Sequence, residues 1–365
     1  MSSTRRASGE ALLAALLFGA AAPAGKLLVG EVPPVLLAGL LYLGAAAGIA
    51  PRVWLEARRS RLAGSTRAGE TTAVRSDPAS RWRLAGAIVA GGIVAPVLLL
   101  AALREADASA VSLLLNLELA ATALLGVALF GEHAGARAWA GILGAVVAGL
   151  FLSAGGGAPG LAAGALAVGA CLCWGLDNQW TALVDGLSPA RSTLWKGLVA
   201  GGANVALGVG IALAGGQGGV GLPGTREVLA ALGVGALSYG ASIALHVSAA
   251  QALGATRAQA IFAASPFFGA GLAVFALGEP FGIVHVGASA LFAVSVALVI
   301  ADRHAHAHSH GATSHVHSHQ HDDGHHDHVH PGQPASLRHS HWHDHDPVTH
   351  AHPHASDLHH RHDHA

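Results

Sequence analysis

The sequence predicts an all-α membrane protein of ten transmembrane helices, arranged as two inverted five-helix repeats and followed by a histidine-rich tail. Three observations predict it. Of the 365 residues, 52% are hydrophobic and 11% charged, less than half the roughly 25% charge usual in soluble domains. Apolar runs long enough to cross a hydrocarbon core about 30 Å thick follow one another from residue 10 to residue 301. The later runs repeat landmarks of the earlier ones.

A helix satisfies its own backbone polar groups in lipid, so each apolar run of roughly 20 residues reads as one span. The spans are expected near 10–29, 33–51, 83–103, 109–131, 136–154, 161–181, 191–214, 227–248, 256–278 and 281–301. The start MSSTRR, followed by apolar residues 11–22 and small residues at 20–22, has the layout of a secretory signal. Apolar sequence resumes at 27–29 and residues 160–184 repeat the design, so it is read as a retained first helix. Cys171 and Cys173, two residues apart, point to different sides of one helix and are read as core residues rather than a redox pair.

Arginine sets the orientation, because cytoplasmic loops hold the excess Lys and Arg. Residues 52–83 carry eight arginines; Arg5, Arg6, Arg137, Arg191, Arg257 and Arg303 fall on the same side, and Arg104 and Arg226 on the other. The reading is an inner-membrane protein with both termini in the cytoplasm. The net charge of -1 averages a basic loop with an acidic tail and supports no nucleic-acid partner.

The repeat emerges when the halves are laid side by side. LLVGEVPPVLLAGL from Leu27 aligns with LVDGLSPARSTLWKGL from Leu183, so that Gly30 and Pro33 match Gly186 and Pro189, and Phe18-Gly19 matches Trp174-Gly175 at the same offset. Further on, ALFGE at 128–132 matches FALGE at 275–279. Five spans per half, an odd number, insert the second half upside down. The domains are therefore 1–154, with its Arg-rich loop 52–83, then 155–301, and a disordered tail at 302–365.

The stretches AAPAGKLLVGEVPPVLLAGLLYL at 21–43, SAVSLLLNLELAATALLGVALFGE at 109–132, CWGLDNQWTALV at 173–184 and LGATRAQAIFAASPFFGAGLAVFALGE at 253–279 resemble the drug/metabolite transporter superfamily, specifically its EamA-like branch. The resemblance covers residues 10–301. It implies ten helices in two five-helix repeats around a central cavity, with metabolite or drug export as the usual activity. Similar sequences often read Glu-Pro in the fourth span, whereas this one reads Glu118-Leu119 there and Ser265-Pro266 in the ninth.

A charge inside the bilayer costs at least about 2.5 kcal/mol, so each needs a partner, a wet cavity or a task. Glu118 lies mid-span, with Asn116 two residues before it and Thr122 one turn after. Proton coupling or the binding of a substrate amine would suit it, as would a structural pairing with a neighbouring helix. Trp174, Asp177, Asn178 and Thr181 form one stripe on the sixth span that should face a cavity, the alternative being an interfacial cap. Lys26 and Lys196 stand near span ends, where the first reading is snorkelling to water and the sharper one anion binding. Tyr239, Ser242 and His246 share a face of the eighth span, where His246 is either a packed residue or a proton or substrate group. Pro23 and Pro266 are candidates to break their helices, and Gly197, Gly201, Asn204 and Gly208 form a seam read as packing.

The tail holds 23 of the 26 histidines and lacks the apolar residues to build a core. His304, His306, His308, His310, His339, His341, His343 and His345 offer neighbouring imidazoles that suit zinc, nickel, cobalt or copper. No cofactor is required. The leading expectation is a secondary carrier of a small organic solute, with the bilayer and that solute as partners, coupling to protons and homodimer formation as further expectations. A metal-efflux or metal-regulated permease, and a non-transporting metal or pH sensor, are the alternatives. No GxxxxGK[ST] loop and no catalytic constellation occur, so neither an ATP-driven pump nor an enzyme is expected.

Overall fold

The computed structural model describes residues 3–62, 78–131, 135–154, 160–184, 187–214, 222–253 and 261–301, and four short segments of the tail. The elements are α1 (Ser3–Gly19), α2 (Ala21–Val29), α3 (Pro34–Leu62), α4 (Pro78–Ala87), the π-helical segment π1 (Ile88–Val94), α5 (Ala95–Glu105), α6 (Ala108–Leu114) and α7 (Leu117–Phe130). There follow α8 (Ala136–Ala154), α9 (Gly160–Ala182), α10 (Pro189–Leu213), α11 (Thr225–Val234), π2 (Gly235–Ala241), α12 (Ser242–Leu253), α13 (Ser265–Leu277) and α14 (Ile283–Ala301).

Among the described residues, seven helical runs are long and apolar enough to cross a membrane: Arg5–Val29, Pro34–Arg58, Pro78–Glu105, Ala108–Phe130, Gly160–Thr181, Ala190–Leu213 and Thr225–Ala249. Shorter apolar helices cover Ala136–Leu152, Ser265–Leu277 and Ile283–Val299, where the other three spans were expected. In the tail, β1 (His304–His310) pairs antiparallel with β4 (Val348–His354), and β2 (Thr313–His319) with β3 (His339–His345).

Several expected boundaries are corrected. The Arg-rich stretch 52–83 is helical at both described ends, because α3 runs on to Leu62 and α4 begins at Pro78. Beyond the apolar part of α3, Arg52 and Glu56 form an i,i+4 pair at 3.3 Å that supports the added turns. The fourth span is interrupted at residues 115–116. The Asn116 amide group turns back to donate to the Leu113 carbonyl at 2.8 Å, competing with the helical ladder.

Proline accounts for two further breaks. Pro23 has no N–H to offer the Gly19 carbonyl, and the helix steps at Ala20; Pro266 likewise leaves Phe262 without its donor, and a turn occupies 263–264. The two broken spans cross at these points. A side chain on Gly19 would strike the Ser265 carbonyl, and one on Gly269 would come within 2.8 Å of the Gly19 carbonyl. The freed carbonyl therefore enters a packed crossing.

The repeat has a structural counterpart. π1 and π2 are seven residues each and are separated by the same offset as Gly131 and Gly278, which end α7 and α13 in the left-handed region, both at φ +68. Glycine takes that conformation without the Cβ penalty, and the GE motif is its sequence signature. At the matched pair Phe18-Gly19 and Trp174-Gly175, Gly19 packs on α13 and Gly175 packs on the Ala121–Thr122 backbone of α7. Each contact joins one half of the chain to the other. Small residues also let α3 meet α10: an added Cβ at Gly201 would lie 2.8 Å from the Leu43 nitrogen, and one at Gly208 2.8 Å from Leu36.

Long-range hydrogen bonds identify the two ends of the bundle. At one end, Arg83 donates to the Leu183 carbonyl at 3.0 Å, Ser188 to Glu56 at 3.1 Å, Arg52 to the Ala244 carbonyl at 2.5 Å and Ser248 to Glu10 at 2.9 Å. Exposed Trp54, Trp82, Trp139 and Trp195 belong to this arginine-rich end. At the opposite end a turn between α5 and α6 is gripped from both sides. Lys26 donates to the Leu103 and Ala106 carbonyls at 2.7 and 2.8 Å, and the Glu279 carboxylate accepts the Ala108 and Ser109 N–H groups at 2.8 and 2.7 Å. Cation on the C-terminal carbonyls and anion on the N-terminal N–H groups both match the helix dipoles.

Candidate functional site

The polar side chains in the C-terminal turns of the sixth span meet the middle of the fourth span and the N-terminal part of the seventh. The close approach of Gly175 to α7 brings short side chains into range. Asn178 Nδ2 donates to Glu118 Oε1 at 3.0 Å and to Thr122 Oγ1 at 3.2 Å, and Gln179 donates to the Thr122 carbonyl at 3.2 Å. Glu118 belongs to the first half and Asn178 to the second, so this bridge joins the repeats. One turn away, Lys196 forms an ion pair with Asp177, donates to Thr181 Oγ1 at 2.9 Å, and Thr181 donates to Asp177 at 2.8 Å. Asp177 is buried, and its charge is satisfied within the protein.

π1 supplies the neighbouring wall. Its wider helical register frees the Gly91 carbonyl, which accepts the Tyr42 hydroxyl at 2.5 Å and the Trp174 indole N–H at 3.1 Å. Asp177 fills the place a side chain on Gly91 would take. Asn204, wholly buried, reaches the Gly92 and Ile93 carbonyls at 3.4 Å. Tyr42 contacts Tyr239 at 5.8 Å between ring centroids, Tyr239 meets Phe18 at 5.7 Å, and Phe18 meets Phe262 at 5.3 Å.

The residues singled out from sequence thus divide. Glu118, Trp174, Asp177, Asn178, Lys196 and Tyr239 come together. Lys26 does not: it belongs to the opposite end and is spent on two carbonyls. Both lysines donate to protein acceptors, Lys26 to the Leu103 and Ala106 carbonyls and Lys196 to Asp177 and Thr181. Asn116 turns onto its own helix rather than toward Glu118. His246 lies toward the arginine-rich end, its ring 4.5 Å from Phe262 and its Nδ1 buried with no partner among the described residues. Ser265 stands as far beyond Glu118 as Gly278 beyond Gly131, so it is the repeat counterpart of Glu118; it is buried in the crossing with Gly19. His304, His306, His308, His310, His339, His341, His343 and His345 lie on the paired strands, and their side chains are outside the described residues, as are Gly186, Glu132 and Arg257.

Tyr42, Gly91 and Glu279 were not picked out from sequence. For Tyr42 a signal existed: the chain has two tyrosines, both inside apolar runs, and they touch. Gly91 gave none, because its partners lie 49 and 83 residues away; Glu279 closes the repeated FALGE motif, but nothing in that motif points to Ala108 and Ser109, 171 and 170 residues away.

Comparison with known proteins bears on this arrangement. The family model of the EamA-like transporter family matches residues 9–154 and 161–301. No curated relative matches. Among solved structures, one crystal structure superposes with a TM-score of 0.51 at 20% identity, covering 80% of this chain and 95% of its own, which speaks to fold alone. The two family matches fall on the two halves that the Gly131/Gly278 and π1/π2 correspondences relate. This chain belongs to the EamA-like transporter family, a multi-pass membrane transporter family of the drug/metabolite transporter superfamily.

Proposed function

We propose that this transporter is a secondary carrier that exports a small organic solute across the inner membrane by alternating access between two inverted five-span halves. Ten spans, with both termini cytoplasmic, are the topology this reading needs; the seven long apolar runs and three shorter ones supply ten candidate segments. The observation that carries the reading is the Glu118–Asn178 bridge, a polar contact between the halves that joins the middle of the fourth span to the C-terminal turns of the sixth. Halves that rock against each other must make and break contacts at such a place.

Glu118 is the group that exchanges a proton with the solute cycle. Its hydrogen-bond partner is the neutral Asn178 amide, and a carboxylate inside a bilayer calls for a counter-ion, a wet cavity or a proton. The test is solute flux in proteoliposomes with and without a pH gradient. Glu118→Gln is expected to abolish gradient-driven flux. Wild-type rate and unchanged pH dependence in that variant would remove the proposal.

The histidine tail is proposed as a buffer for zinc, nickel, cobalt or copper beside the cytoplasmic mouth. Among the described residues, no group of three or more His, Cys, Asp or Glu is placed to hold a metal, so the spans offer the tail's ions no receiving site there. Deleting residues 304–365 is expected to lower bound metal in equilibrium dialysis and leave solute flux unchanged.

A further inference from the structure

Strand register places the histidines of the tail opposite one another. β1 pairs with β4 so that His304 faces His354, His306 faces His352 and His308 faces His350. β2 pairs with β3 so that His315 faces His343, His317 faces His341 and His319 faces His339. The two runs picked out from sequence, 304–310 and 339–345, therefore do not face each other; they face 348–354 and 313–319 respectively. Histidine recurs at every second position of these strands, so a slip of one residue would set each of these histidines against a different residue type. Matching of histidine with histidine is thus all or none, and in both ribbons every one of these positions is matched.

Little else on the strands holds them together. Between the histidines of the first ribbon, Ala305, Ala307 and Ser309 face Pro353, Ala351 and Thr349. In the second, Val316 facing Trp342 is the one apolar pair. A lone two-stranded ribbon is marginal in water, so the pairing calls for a cross-link. Facing residues of an antiparallel pair have Cβ atoms about 4.5–5.5 Å apart, and the next pair on the same face lies about 7 Å along. Two successive pairs place four histidines within reach of one ion, the number of ligands a closed zinc site takes. The ligands are imidazoles, because both cysteines of the chain are at 171 and 173 and the one carboxylate on the paired strands, Asp344, faces Ser314. In a segment without a core, the free energy of binding metal is the free energy of folding.

Resting on the reading of the tail as a metal buffer, we propose that each ribbon is a zinc site built from successive facing histidine pairs, and that the metal closes the ribbon. The metal load is then written into the shape of the tail. Closure returns the chain to its point of exit from the bundle, with His354 opposite His304 just beyond the end of α14 at Ala301.

The test sets nitroxide labels at Ser309→Cys and Thr349→Cys, register partners on β1 and β4, in full-length protein whose Cys171 and Cys173 are replaced by Ser. Pulsed electron paramagnetic resonance reads the distance between labels in detergent, with EDTA or with zinc chloride, and equilibrium dialysis of the same samples reads bound zinc. Zinc is expected to turn a broad distribution into one short distance. The triple variant His350→Ala, His352→Ala, His354→Ala should abolish that change, whereas His359→Ala, His360→Ala, His362→Ala, an equal loss of imidazole beyond β4, should preserve it. Bound zinc with a distribution that stays broad, or equal loss of the change in both triple variants, overturns the ribbon site and leaves the buffer reading standing. A short distance that persists in EDTA overturns it too, since the strands then pair without metal. Absence of bound zinc in dialysis removes the buffer reading and the site together.

Discussion

Asp177 and Lys196 illustrate how a buried charge is tolerated at the scale of one residue. Each is tolerable only through the other, so removing one leaves an uncompensated charge. Asp177→Asn is expected to destabilise the protein by about 3 kcal/mol, read from thermal unfolding in detergent. The double variant Asp177→Asn with Lys196→Met should recover much of that loss, since the two share one interaction. The Glu279 carboxylate is a second case. Glu279→Ala leaves the Ala108 and Ser109 N–H groups without acceptors and should cost about 1–2 kcal/mol, whereas Glu279→Gln, keeping one oxygen, should cost less. Residue-scale candidates were legible in part. Glu118, Asp177 and Asn178 stand out as polar groups in apolar sequence, and Trp174 joins their stripe. Their partners were not legible, because Lys196 approaches Asp177 from another helix and Tyr42 finds Trp174 through a carbonyl they share.

At the scale of elements, small residues decide which helices touch. The α3–α10 contact is built on backbone approaching backbone, with Gly201 against Leu43 and Gly208 against Leu36. Gly201→Val is expected to cost about 1–3 kcal/mol through overpacking, while the same change at Gly202, where an added Cβ meets nothing within 4 Å, should be nearly silent in the same unfolding assay. The glycine seam on the seventh span was readable because its i, i+4 spacing survives any packing arrangement. The π segments were not. Their sequences, IVAGGIV and GALSYGA, differ from ordinary helix only in a register that neighbouring helices stabilise, through Tyr42, Trp174 and Asn204 in the first case. The break at 115–116 was equally hidden, since Asn116 is an acceptable helix residue until its side chain takes the Leu113 carbonyl.

For the whole molecule, the arginine-rich end gathers Arg52 and Arg83 together with exposed Trp54, Trp82, Trp139 and Trp195. Cationic and amphipathic side chains on one rim favour the leaflet surface facing the cytoplasm. A reporter fused at residue 303 is therefore expected to read cytoplasmic; a periplasmic signal would invert the proposed orientation. The sequence alone determined the solvent, since runs of apolar residues bounded by arginine have nowhere to fold except lipid, and it determined the family, since two matched halves carry its pattern. Tertiary structure decided which charges cancel and which remain. Hydropathy is a property of each segment, whereas the pairing of Lys196 with Asp177 and the isolation of Glu118 depend on distances between helices that no segment contains.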